Sequence, residues 1–516
     1  MTTTAPAAGL ASIDELLDLD KQKLSVVAAK TPTRTERWMA YLGFPLGLAA
    51  FGVLFCMPTP EGLTAAGQAA VASFALALIW WITEPVPTYV TSLALMTLLV
   101  FTDAWSQDKI LGVLGLDVIW LNVMAFILSA ILIRTNLAKR MALHLLVRFG
   151  RHAGTTLLAF ILVQLALAPL IPATAARAVM TLPLMLVVAA IYQSSAARPT
   201  NFGRNLMLQN LLGINIFSSG FMTGSTANLL AVGFILTMGG HRVYYSDWML
   251  ANLPVAIVAM AFAWWVGPRL LFRIAEADAQ PRLPGGIDTL EAQLGRLGAL
   301  TFNERKGIAI FALVIFLWVT DRFHTTWFGF GIDPVMAAML GVVVAFFPRV
   351  GLLSWNDADI PWHLMIFSAG AYAGGLSLDQ SGAARWVVQK VFDALRFGQH
   401  ADFWVVYVLV IAVNMYSHFF FTSKTMRTII MIPFVIGIAQ HLGFPVISLA
   451  LPAAFTIDWV IGLPISAKPN LILFTTGQYS VLDNLKYGFL MTTVGIVLLI
   501  VAGVTWFRFL GITPGF

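Results

Sequence analysis

Between Trp38 and Phe507 the chain is a succession of apolar runs, many reaching the roughly 20 residues that cross a bilayer, with few charges between their ends. In hydrocarbon a run of that kind must satisfy its backbone polar groups within itself, so it is a helix. The expected fold class is therefore an all-α polytopic membrane protein. For 516 residues, 59% hydrophobic and only 11% charged, this overrules a reading as several soluble domains. The net charge of +6 gathers at segment ends, as the positive-inside rule requires, and gives no sign of a nucleic-acid partner. The single cysteine, Cys56, excludes an internal disulfide or a thiolate metal cluster. The spans hold no His/Cys/acid cluster, which argues against a membrane enzyme.

Residues 1–37 are polar, show no cleavable signal and crowd Lys21, Lys23, Lys30, Arg34 and Arg37 before the first span, so they are expected in the cytoplasm. Ser12–Lys30 reads as a short amphipathic helix. A first membrane half covers 38–274 and a second covers 307–516. The polar stretch 275–306, with PRLPGG and mixed charges, is the expected cytoplasmic linker. In the first half, Arg134–His152 carries five basic residues and no acid at helical spacing and reads as an interfacial helix.

Two polar breaks stand out. FTSKTMRTIIMIP, Phe421–Pro433, sets Lys424 and Arg427 in almost uncharged sequence, and IPATAARAVMTLP, Ile171–Pro183, repeats its frame with Arg177 six residues before Pro183, as Arg427 is before Pro433. Each break joins two apolar arms, the pattern of a re-entrant hairpin whose tip enters a protein-lined cavity. Two further spans are interrupted, at MTGSTAN (Met222–Asn228) and at PISAKPN (Pro464–Asn470). Short polar interruptions at matching places in two halves point to a carrier's binding site.

The match extends along the chain. RFGRH (148–152) returns as RFGQH (396–400), Glu84-Pro85-Val86 as Asp333-Pro334-Val335, and STANLL (225–230) as AKPNLI (467–472), all in the same order. Two structural repeats follow. The second amphipathic segment, Leu378–Asp402, mixes acids with bases, as expected if its repeat is inverted and faces outward.

A cation at the bilayer centre costs about 3 kcal/mol, so Arg177, Lys424, Arg427 and Lys468 together would cost roughly 12 kcal/mol facing lipid and must face protein or water. They are candidates for an anion site, with Lys424 as a point charge and the arginines gripping carboxylates or bracing the hairpins. Asp458 is the acid within the last broken span, expected to pair with Lys424 or Lys468 or to couple transport to a proton. Thr174, Ser225, Asn228, Ser423, Thr425, Ser466 and Asn470 are the neutral donors at the breaks. His418 and Glu84 read as structural.

TEPVP (83–87), PATAAR and TSKTMR at the hairpins, and the breaks GSTAN and PISAKPN resemble the divalent anion/sodium symporter family of di- and tricarboxylate carriers, over about Trp38–Phe507. The resemblance implies about eleven transmembrane helices in two inverted repeats, each with a re-entrant hairpin and a broken helix. It also implies a homodimer, an elevator mechanism and a bacterial inner-membrane location. The family's tips read Ser-Asn-Thr and bind sodium with the substrate carboxylate. Here they read Ala173-Thr174-Ala175 and Ser423-Lys424-Thr425, and only the asparagines and part of each frame survive from the family's Pro-Pro-Asn breaks. The expectation is a secondary carrier of small organic anions, di- or tricarboxylates such as citrate, working by sodium-independent exchange with no cofactor. A sodium- or proton-coupled symporter and a passive anion channel remain the alternatives.

Overall fold

The computed structural model describes residues 34–282, 286–349, 351–358, 360–395, 401–421 and 423–515, and among them all regular structure is helical. The amphipathic segment expected at Ser12–Lys30 lies outside the described residues. Helix α1 (Arg34–Cys56) precedes the first repeat, which runs α2 (Ala65–Thr83), α3 (Thr88–Phe101), the short α4 (Gln107–Gly112), α5 (Asp117–Arg134) and the amphipathic α6 (Leu137–Phe149). A hairpin follows, α7 (Ala153–Leu167) and α8 (Thr174–Ile191), then the broken pair α9 (Asn201–Gly220) and α10 (Thr226–Thr237), and α11 (Tyr245–Val266), which ends in a π-turn at Gly267–Leu271.

After α12 (Gly286–Arg296) the order restarts with α13 (Phe302–Val319), the short α14 (His324–Phe328), α15 (Pro334–Phe346), α16 (Trp362–Gln380) and the amphipathic α17 (Ala383–Leu395). The second hairpin is α18 (Phe403–Ser417) and α19 (Lys424–Leu442), the second broken pair α20 (Val446–Phe455) and α21 (Lys468–Phe474), and α22 (Val481–Ala502) again ends in a π-turn, Gly503–Phe507. The two copies agree in detail: both amphipathic helices have 13 residues, both first hairpin arms 15, and both closing helices 22. Counting each broken pair once and the hairpins not at all leaves eleven segments to cross a bilayer. Seven helices among the described residues are long and apolar enough to span on their own, and two of these, α8 and α19, are hairpin arms outside that count.

Helices α3 and α15 have 14 and 13 residues, about 20 Å at 1.5 Å per residue, shorter than the ~30 Å hydrocarbon core. They are not lipid-facing spans on every side. Helix α3 packs on α16, and α15 packs on α5, so each repeat lends a helix to the other. The same exchange recurs at the hairpins, where α8 packs on α21 and α19 on α10. Reciprocal partners of this kind are what a pseudo-two-fold relation between the repeats produces.

Ends are set by local chemistry. Glu84 closes α2 in the left-handed conformation, its N–H donating to Trp80 O, and Pro85 after it keeps the helix from continuing. Two tryptophans are anchored inside: Trp81 is buried and donates to Thr88 O, and Trp264 donates to Gly154 O. The linker differs from expectation. Thr301 and Glu304 form a reciprocal capping box that starts α13 at Phe302, five residues before the expected boundary, because the cap lets Glu304, Arg305 and Lys306 enter the helix. Nor is the linker free: α12 packs on α6, and Arg140 of α6 binds both oxygens of Glu304 (2.6 and 3.1 Å) and the carbonyls of Leu297 and Gly298. The basic segment without acids of its own thus takes them from elsewhere, Arg134 pairing with Asp357 as Arg140 does with Glu304. The Ser354 N–H, the Arg134 guanidinium and the Ser354 hydroxyl together hold the Asp357 carboxyl at about 2, below its ordinary value.

Candidate functional site

The two breaks in the spanning helices meet in the middle of the fold. In the first, α9 stops at Gly220 and α10 restarts at Thr226, capped by Ser225, whose hydroxyl accepts from Asn228 N (3.3 Å). Gly224 has room for nothing more, since a Cβ there would sit 2.3 Å from Ser218 O. In the second, α20 stops at Phe455, and helix resumes only with the 3-10 turn at Pro464–Ser466 and then α21 at Lys468. The interruption expected at PISAKPN therefore opens earlier, at Thr456, and it carries Asp458 within it.

Every helix end in an apolar interior leaves carbonyls to satisfy. In the first break Asn228 Nδ2 donates to Ser218 O (2.8 Å) and Phe221 O (3.1 Å), and in the second Asn470 Nδ2 donates to Val460 O (3.0 Å) and Leu463 O (2.9 Å). The arginines do related work from the hairpins. Arg177 Nη2 donates to Ile214 O (3.0 Å), Gly224 O (3.3 Å) and the Ser218 hydroxyl. Arg427 Nη2 donates to Thr456 O (2.7 Å) and Ile457 O (2.6 Å), where a cation also suits the C-terminal end of α20. Of the two roles open to these arginines, bracing is what their hydrogen bonds show. Both are fully buried, yet each leaves Nε and Nη1 without a hydrogen-bond partner.

Between them lies a pair that joins the halves. Lys424, the first residue of α19, donates from Nζ to Asp458 Oδ1 (3.0 Å), and Ser225 Oγ donates to Asp458 Oδ2 (2.9 Å). Asp458 is 0% exposed and Lys424 8%. The carboxylate also acts electrostatically on Arg177 and Arg427, so one acid faces three cations. The cluster carries a formal excess of two positive charges in a low-dielectric interior, where such an excess is strongly unfavourable until an anion meets it.

The remaining expected residues divide. Thr174, Ser423 and Thr425 are half-buried at the hairpin tips, with Ser423 capping α19 through Met426 N (3.4 Å). Lys468, expected among the substrate ligands, is exposed at the first position of α21 and is not brought into the cluster. Position sets this outcome: Lys468 leads the helix whose N-cap, Ala467, and third residue, Asn470, are the ones turned into the protein. His418 is fully buried, its Nδ1 bound to Met415 O (2.6 Å) and its Nε2 accepting from Gly462 N (3.2 Å), a packed group rather than a ligand. Asn215 was missed. It donates to Val460 O (3.0 Å) and Asn470 Oδ1 (3.2 Å) and ties the first broken helix to the second. Its signal lay in α9, a span with Asn205, Gln209, Asn210, Asn215 and Ser218 all buried.

Over residues 37–513 the sequence matches the family described as the sodium:sulfate symporter transmembrane region. The chain belongs to that family. A member of it is a membrane transporter, not an enzyme, and a helical one of this kind is an integral protein of the inner membrane rather than an outer-membrane barrel. The chain is 27% identical to a membrane protein of Cupriavidus necator, with 93% of this chain and 94% of the relative covered. It is 26% identical to the sodium-dependent dicarboxylate transporter SdcS of Staphylococcus saprophyticus, with 89% and 90% covered. Among solved structures the fold is similar to that of MtrF of Neisseria gonorrhoeae, at a TM-score of 0.54 and 14% identity over 92% of this chain and 97% of the other.

Proposed function

We propose that this symporter-family chain is a secondary carrier that exchanges small dicarboxylates across the inner membrane without sodium, as a homodimer. The observation that carries the reading is the cluster of Lys424, Arg177 and Arg427 around a single acid, Asp458. Its excess of two charges matches a dianion, and dicarboxylate is the substrate class that the staphylococcal relative's name states. That name also states sodium dependence. In this chain a lysine stands at the second tip, supplying there a positive charge tethered to the chain.

Exchange follows from the same charge. An empty carrier moves two unneutralised positive charges through a low-dielectric barrier, while a carrier holding a dianion moves almost none. Reorientation is then faster loaded than empty. The test is uptake of labelled dicarboxylate into proteoliposomes with sodium, potassium or choline outside, and with or without unlabelled substrate inside. Equal uptake in the three salts, accelerated by internal substrate, is the expected result. Uptake that needs a sodium gradient and ignores internal substrate overturns both parts.

A further inference from the structure

We infer that Asp458 is a tethered carboxylate that occupies one anion position of the cluster and thereby fixes how many charges a substrate carries. The inference rests on the dicarboxylate reading above and adds to it a residue that sets specificity.

Asp458 is held as a bound carboxylate would be. One oxygen takes a charge-assisted hydrogen bond from Lys424 at the hairpin tip of one repeat, the other a hydroxyl hydrogen bond from Ser225 at the helix break of the other repeat, and no part of it reaches solvent. It stands in a stretch, Thr456 to Gly462, that is unwound only in the second half, so the first repeat offers no second acid in an equivalent loop. Donor capacity exceeds what it uses. Arg177 and Arg427 each keep two unpartnered N–H-bearing nitrogens, and the Ser466 hydroxyl is also buried without a partner. Unsatisfied buried donors on a cation are costly, and a carboxylate is the group that satisfies them best. With the internal acid counted, a dianion brings the cluster to neutrality, a monoanion leaves one positive charge and a trianion one negative.

A purely structural ion pair makes a different prediction, because its removal changes stability and leaves the order of ligands alone. The experiment measures binding of butyrate, succinate and tricarballylate to the purified full-length protein by calorimetry at pH 8 and constant ionic strength. The wild type is expected to prefer succinate. In Asp458→Asn the affinity for tricarballylate relative to succinate rises about tenfold or more, the scale of one unit charge partly screened inside a protein. In Lys424→Gln the ratio moves the other way, butyrate gaining on succinate by a similar factor. The double variant Asp458→Asn with Lys424→Gln restores the charge sum, leaves no lone buried charge from the pair to disturb folding, and returns the ratios toward wild type. Unchanged ratios in the single variants, or a double variant that keeps the ratio of either single, overturn the inference. A wild type that binds none of the three probes overturns the dicarboxylate reading instead.

Discussion

Asn228 and Asn470 make the same two hydrogen bonds, each donating through its side-chain amide to the carbonyls ten and seven residues before it. The repetition identifies the asparagine as the residue that makes a broken helix affordable in this fold. Replacing either by alanine leaves two buried carbonyls short of a donor, at about 1–2 kcal/mol for each variant. Thermal unfolding in detergent should show a lower midpoint for Asn228→Ala and Asn470→Ala than for Thr174→Ala, whose side chain is half-buried at a tip.

Lys424 and Asp458 are a buried pair, and removing one partner of such a pair costs on the order of 3–5 kcal/mol. The nearby arginines reduce that figure for Lys424→Gln, because they continue to offset the carboxylate. The single variant should still unfold at a lower temperature than wild type, and the double variant Lys424→Gln with Asp458→Asn should recover most of the loss. Equal destabilisation in the single and double variants would show that the pair is not coupled.

Arg427 reaches two carbonyls from one nitrogen, and a lysine at that position keeps the charge on a shorter, less directed head group. Arg427→Lys is expected to lose about 1–3 kcal/mol of stability while preserving the preference for dianions. Thermal unfolding and a ligand-charge series, measured on one preparation, separate the two effects.

The linker depends on Arg140, whose guanidinium binds Glu304 and successive carbonyls around Gly298. Arg140→Ala should leave the cluster around Asp458 untouched and release this stretch, so limited proteolysis would cut within 286–301 several times faster than in wild type. Unchanged cleavage would mean that packing of α12 on α6 alone holds the linker.

The repeat frame was legible because its signals are local. Arg177 and Arg427 precede prolines at equal spacing, and STANLL and AKPNLI both end a break on an asparagine, so the hairpins and broken helices could be placed from composition and order. Lys424 was legible for the same reason, as a charge at a tip. What escaped depended on the other half of the chain. Nothing in FTIDWVIG announces that helix ends before Asp458, because that unwinding is stabilised by Arg427, Asn470 and Asn215 from three other elements. That Lys468 stands apart from the buried cluster was not legible, because its neighbours are buried and it is not, a distinction that helix phase decides and sequence spacing near a break does not. The capping box at Thr301 was visible as Thr-x-x-Glu but was masked by the charges beside it.

The reciprocal packing of the halves also sets a timetable for synthesis. Ser225 waits 233 residues for Asp458, and Asn215 waits 245 for Val460. At about 5–20 residues per second, the first half resides in the bilayer for roughly 12 to 50 seconds before the ribosome supplies those partners. During that interval α8 and α10 have neither α21 nor α19 to lean on, and polar groups built for a closed interior face lipid or one another. Biogenesis of this carrier therefore includes an obligatory half-made stage, whose lifetime is set by translation speed, and slowing the ribosome between residues 237 and 424 extends the period in which a membrane protease can claim the nascent chain.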